Sequence, residues 1–134
     1  HLTFLEMLGN FSFGEYFKEE AIKLAHQFLI ENCKLKIENL TVTVFGGDAE
    51  VPRDEESLKI WSKLGFSEKN GNLRFAGRED NFWGPTGKEG PCGPTTEIHV
   101  NGSTDSPRRS LRMLSRIVCS FTSSCGSSAS TRRP

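Results

Sequence analysis

The sequence contains no apolar run approaching the ~20 residues that a membrane-spanning helix needs, and no secretory pattern, so a cytoplasmic protein without a membrane anchor is expected. Its four cysteines, at 33, 92, 119 and 125, form no Cys-x-x-Cys pair and no zinc-ligand spacing. That excludes a zinc framework and predicts reduced thiols. A Walker loop is also missing: Gly87-Lys88 is followed by Glu89 instead of Ser or Thr, and Phe82 stands where the first glycine belongs. No G-x-G-x-x-G follows a strong strand, which removes the dinucleotide fingerprint. Nor is there a Ser-His-Asp or Cys-His arrangement to suggest covalent catalysis.

Charge of one sign is scarce at each end. The chain is neutral overall, with 17 basic and 17 acidic residues, but residues 103–134 hold six arginines, no lysine and one acid. The first 102 residues therefore carry a net −5 and the remainder +5. Ten of the fourteen serines also fall after residue 102. Such a Ser/Arg-rich tract buries too little apolar surface to offset its chain entropy, so 103–134 is expected to be disordered, with a short helix at 111–118. The folded domain is then 1–102. The chain opens on His1 and is expected to be a piece of a longer protein.

Within the domain, HLTFLEML at 1–8 predicts a strand with apolar residues on both faces. Ser12 and Glu15 have capping-box spacing, and a helix is predicted from there to about Lys34, with Phe17, Ala21, Leu24, Ala25, Phe28 and Leu29 facing the core. His26 is read as a surface residue. LTVTVF at 40–45 is a strand with Val42 and Val44 on one face and threonines on the other. A second helix is predicted from about Pro52 to Leu64. The acids at 54–56 suit its positive end, Gly65 suits its C-terminal cap, and Leu58, Trp61 and Leu64 face inward. Residues 73–75 form an edge segment. Glu97-Ile98-His99-Val100 is a final strand with Glu97 and His99 on one face. The order strand, helix, strand, helix, loop, strand predicts an α+β fold.

The most unusual stretch is 80–100, DNFWGPTGKEGPCGPTTEIHV. Glycines at 84, 87, 90 and 93 let backbone amides approach a ligand, and Pro85, Pro91 and Pro94 stiffen the path between them. Phe82, Trp83 and Ile98 each demand a packed surface. The stretch therefore reads as a binding loop feeding a strand, suited to presenting amides to phosphate oxygens.

Two segments resemble one family. Thr3-Phe4-Leu5-Glu6-Met7-Leu8-Gly9-Asn10-Phe11-Ser12-Phe13-Gly14-Glu15-Tyr16-Phe17-Lys18 looks like the second half of motif 2 and the helix start that follows it in alanyl-tRNA synthetases. Asp80-Asn81-Phe82-Trp83, Gly90-Pro91-Cys92-Gly93-Pro94 and Thr96-Glu97-Ile98 resemble the glycine-rich active-site stretch of the same enzymes. The likeness implies part of a class II antiparallel sheet flanked by helices, in an enzyme that activates alanine with Mg-ATP and transfers it to tRNA(Ala). By this resemblance Phe4 stacks on adenine and the backbone through Met7 reads the base edge. Trp83 walls the alanine pocket, Gly90 and Gly93 belong to the loop beside it, and Glu97 ligates Mg²⁺ or orients the ATP phosphates. His99 stands where many relatives have an aromatic residue, and its role stays open. Cys92 is read as a small buried residue.

The departures from the family are specific. The first half of motif 2 and motif 3, which carry the arginines on the α-phosphate and on adenine, are absent, so catalytic residues proper are not expected in this chain. Where the family continues with a Trp-Asn strand, SerThrAspSerProArgArg follows Gly102. The tail is therefore expected to be foreign to the family, as a shifted reading frame would make it, and the isolated chain to be inactive. The alternatives are a non-catalytic adenine-nucleotide-binding module and a non-functional remnant.

Overall fold

The computed structural model describes residues 3, 4, 12, 14–84, 90 and 92–100, with the backbone of Ser115–Ile117. Most of the predicted first strand lies outside these residues. Ser12 does not cap a helix: its Oγ accepts from the backbone N–H groups of Glu15 and Tyr16 in a local turn. The first helix, α1, starts later, at Lys18–Gln27, and widens into a π-turn at Phe28–Asn32. After a 3-10 turn at Ile37–Asn39 come strand β1 (Leu40–Phe45), helix α2 (Glu55–Lys63), strand β2 (Leu73–Ala76) and a helical turn α3 (Arg78–Asn81). Strands β3 (Phe82–Trp83), β4 (Gly93–Pro94), β5 (Thr96–Val100) and β6 (Ser115–Ile117) complete the order.

The main sheet runs β2-β1-β5-β6. β1 pairs antiparallel with β5, and β5 antiparallel with β6, as the class II reading expects. The β1–β2 pair is parallel, because α2 carries the chain back across the sheet between them. The fold is thus α+β with a mixed sheet. Residues 115–117 are strand, not the predicted helix: extended pairing to the open side of β5 overrides the local preference.

Val42, Val44, Leu73 and Ile98 point to one face and meet Ile22, Leu29, Ile60, Trp61 and Phe66 from the helices. The stripe that α1 buries is rotated from the predicted one: Ala21, Ala25 and Leu29 face the core as predicted, and Ile22 joins them in place of the phenylalanines and Leu24. Ala21, Ile22 and Leu29 are buried, whereas Phe17, Leu24 and Phe28 stay 66 %, 40 % and 53 % exposed. The reason is Lys18, which a hydropathy pattern assigns to water. Its Nζ lies 2.8 Å from Asp54 Oδ1 and 3.2 Å from Glu56 Oε2, so the helix turns its lysine side toward α2. Burial lowers the Lys18 pKa, but the hydrogen bond and charge of Asp54, then those of Glu56, outweigh it and leave the group above its ordinary 10.5. The pair therefore stabilises the fold below about pH 10.5, and that contribution disappears as pH rises through the raised value.

Asp54 is also the N-cap of α2, accepting from Ser57 N–H at 3.1 Å and Ser57 Oγ at 2.7 Å. The helix therefore begins after Asp54 instead of at Pro52. Glu55 pairs with Arg53, so the acidic first turn is occupied by cap and ion pairs. Asp54→Ala is expected to remove the cap and leave Lys18 without its buried partner, a loss of about 2 kcal/mol. Urea unfolding of the chain measures it, and Asp54→Asn should retain the cap share. Gly65 caps the far end at φ +92, as expected. Gly47 has φ +88, and a Cβ there would come 2.8 Å from Arg53 N, so only glycine fits. His26 is half-buried and meets Phe66 edge-on at 6.2 Å, and burial lowers its pKa below 6.5.

Candidate functional site

The second face of the sheet is built differently. Side chains of β1 alternate, so Thr41, Thr43 and Phe45 point away from α1 and α2. Cross-strand register sets Glu97 beside Thr43, His99 beside Thr41, and Arg74 on the other side of Thr43. Register also places Arg116 across from Glu97. Glu97 is 4 % exposed, and its Oε2 lies 3.6 Å from His99 Nε2. Thr96, one residue earlier, faces the helices. Its Oγ1 accepts from Trp61 Nε1 at 2.9 Å and donates to the Thr43 carbonyl at 2.6 Å. The strand position of Glu97 is thereby anchored from behind by a buried tryptophan.

A buried carboxylate on a polar strand face suits cation binding or acceptance from several donors. Among the described residues no group of three or more His, Cys, Asp or Glu side chains could hold a metal. Mg²⁺ accompanying a nucleotide is a different case, since it keeps several waters and substrate phosphate oxygens and needs only one or two carboxylates. Glu97 fits that pattern.

Beside this face stands the β3–β4 hairpin. Two pairs define it, Phe82↔Pro94 and Trp83↔Gly93. Phe82 packs on Phe45 with ring centroids 5.6 Å apart, and the Arg78 guanidinium lies 4.3 Å from the Phe82 centroid. Arg78 Nε also donates to Asp48 Oδ2 at 2.7 Å, and its Nη2 to Glu50 Oε2 at 2.9 Å. The Asp48 carboxyl is held down to about 2, first by Arg78 and then by the backbone N–H groups of Glu50 and Val51. The loop after β1 and the hairpin are thus tied through one arginine. Trp83 is half-buried, and its cross-strand partner, glycine, carries no side chain. Asn81, wholly buried, donates to the Thr95 carbonyl at 2.8 Å and the Thr43 carbonyl at 3.3 Å.

The sites expected from sequence divide into two groups. Trp83, Gly93 and Glu97 fall in adjoining parts of the fold, linked by Thr95 and Asn81, and Gly90 lies half-buried in the connection between β3 and β4. Phe4 is not brought to them: it is 76 % exposed and makes no ring contact among the described residues. Met7 lies outside the described residues. Cys92 is buried as predicted, and Cys33 is free and exposed. Cys119 and Cys125, on which the expectation of reduced thiols also falls, lie outside the described residues. Asn81 and Thr43 went unremarked as site residues. The signal available for Thr43 was its place on the same face as Glu97, and for Asn81 a polar residue directly before two aromatics.

Among the described residues no helix is long and apolar enough to cross a membrane. A family model described as tRNA synthetases class II (A) matches residues 1–113. An alanine–tRNA ligase of Borreliella burgdorferi is 46 % identical over 128 residues, covering 94 % of this chain and 20 % of the relative. The corresponding ligase of Treponema pallidum is 56 % identical over 100 residues, covering 73 % of this chain and 16 % of its own length. That of Chloroflexus aurantiacus is 56 % identical over 98 residues, covering 73 % and 11 % respectively. The chain therefore spans about a fifth or less of the length of these relatives.

Proposed function

Since this chain belongs to the class II tRNA synthetases, we propose that it is part of the aminoacylation domain of an alanine–tRNA ligase, contributing one wall of the site where alanine and ATP react. The relatives are ligases by name, and the observation that carries the reading is the pairing of a buried carboxylate, Glu97, with an aromatic hairpin, Trp83–Gly93, at one end of the polar sheet face. In this reading residues 1–102 carry the partial catalytic domain and 103–134 are set apart by their Ser/Arg composition, although the family match runs to residue 113 and Ser115–Ile117 pair with β5. That division rests on composition, and the flanking coding DNA tests whether another frame continues the Trp-Asn strand.

The reaction joins an alanine carboxylate oxygen to the α-phosphorus of ATP, breaks the bond to the β,γ-diphosphate and releases pyrophosphate; the alanyl group then passes to tRNA(Ala). No protein nucleophile is needed, so catalysis rests on alignment and charge stabilisation. Trp83 supplies a flat, rigid wall that accepts a methyl group and crowds larger side chains. Glu97 is the residue that would hold Mg²⁺ accompanying the ATP phosphates, and the ion would supply charge neutralisation there. The family resemblance alone assigns Phe4 to stacking on adenine and the backbone through Met7 to the base edge. The arginines that complete this charge stabilisation belong to segments beyond this chain, so the isolated chain is proposed to be inactive.

The test is alanine-dependent ATP–pyrophosphate exchange in the full-length ligase carrying this segment. Trp83→Ala is expected to raise the alanine KM about tenfold or more and to leave the ATP KM within about twofold. Equal changes in both would remove Trp83 from the amino-acid pocket. Tight ATP binding without any exchange in the full-length protein would favour the non-catalytic nucleotide-binding alternative.

A further inference from the structure

The hairpin that carries Trp83 is too small to hold itself. Two residues per strand make a pairing that is marginal in water without outside support. Phe82 is fixed by Phe45 and Arg78, which secures one side of the hairpin. A second tie among the described residues is Asn81. Its side-chain Nδ2 reaches the carbonyls of Thr95 and Thr43, and its own carbonyl accepts from Thr95 N–H at 2.9 Å. Thr95 is the corner between β4 and β5, two residues from Glu97, and Thr43 is the cross-strand neighbour of Glu97. One amide, directly before the strand bearing Trp83, therefore reaches both the corner that leads into the strand of Glu97 and the neighbouring strand β1.

Only a side chain with two N–H donors at one nitrogen serves both carbonyls in this way. Among the described residues its Oδ1 is a buried acceptor without a partner, as are Thr43 Oγ1 and Thr95 Oγ1 close by in the same network. Buried polar atoms are almost always paired, so unmatched ones collected at one place call for an explanation, a functional role being one.

The geometry points to Asn81 as a positioning residue of the amino-acid pocket: by bridging Thr95 and Thr43 it sets the placement of Trp83 relative to Glu97, and through it the discrimination for a small side chain. This rests on the reading of Trp83 given above. The full-length ligase carrying this segment is again the material, assayed by alanine-dependent ATP–pyrophosphate exchange. Asn81→Ala should raise the alanine KM about tenfold, with kcat and the ATP KM within about twofold, because a displaced wall weakens one substrate only. Asn81 acts through Trp83, so the Trp83→Ala/Asn81→Ala double variant should lie within about twofold of Trp83→Ala alone.

A merely structural role would move both substrates and kcat together, and effects that multiply in the double variant would show that Asn81 acts elsewhere; either overturns the inference. If Trp83→Ala leaves the alanine KM unchanged, the reading of Trp83 falls and this inference with it. If Trp83→Ala raises it and Asn81→Ala does not, the inference alone falls. Should Asn81→Ala fail to fold, Asn81→Ser keeps one donor and is expected to show the same split at about threefold, and its absence overturns the proposal.

Discussion

Replacing Trp61 with alanine is expected to lower folding stability by about 3–5 kcal/mol, the range for emptying a large aromatic site in a core. Trp61 is wholly buried, packs edge-on against Phe66 at 5.1 Å, and lies in the cluster that joins α2 to Val42, Val44 and Ile98. Two losses add. The cavity removes contacts around the indole, and Thr96 Oγ1 loses the donor from Trp61 Nε1. Thr96 in turn holds the Thr43 carbonyl, so the relaxation should reach the strands bearing Thr43 and Glu97. Urea unfolding of the chain is the measurement: the midpoint should fall with the slope unchanged. Trp61→Phe, which keeps most of the ring and drops only the N–H, should lose about 1–2 kcal/mol. A change below about 1 kcal/mol for Trp61→Ala would show that α2 is not the element holding this sheet.

Glu97→Gln is expected to reduce the rate of alanine-dependent exchange on the order of 10²-fold in the full-length ligase, comparable to removing one preorganised charge-stabilising contact. The substitution preserves shape and leaves the amide able to bond within the polar face, so stability should change by less than about 1 kcal/mol. The Mg²⁺ concentration needed for half-maximal rate should rise as well, because a neutral amide is a poorer ligand for a hard cation. Comparable exchange by Glu97→Gln and the parent would assign Glu97 a hydrogen-bonding role within the sheet.

The parts of this fold that sequence made legible are those where one periodicity had no rival. In β1 the valines and threonines alternate cleanly, and both the strand and its faces followed. α2 was readable from Trp61, the acids at 54–56 and Gly65, although its start moved to the Asp54 cap. α1 was readable as a helix but not in its orientation. Phe17, Leu24 and Phe28 outrank Lys18 in hydropathy, yet the Lys18–Asp54 contact depends on a partner 36 residues away, which no local pattern contains. The strand at 115–117 escaped for the same reason, since its stability comes from the open edge of β5.

The site was legible to a similar extent. Alternation in 97–100 placed Glu97 and His99 together on the face opposite Ile98, and this is how they stand. The resemblance to alanyl-tRNA synthetases singled out Trp83, which alternation alone leaves as an ordinary half-buried aromatic. Asn81 was invisible because its role lies in two backbone carbonyls, which carry no sequence signature.

The most direct test of the central claim is a crystal structure of the full-length ligase with a non-hydrolysable sulfamoyl analogue of alanyl-adenylate. The account predicts the analogue on the polar face of the sheet, its methyl group against the indole of Trp83 and its phosphate mimic on the side of Glu97. An analogue bound away from both residues, with Trp83 packed against protein alone, would contradict it.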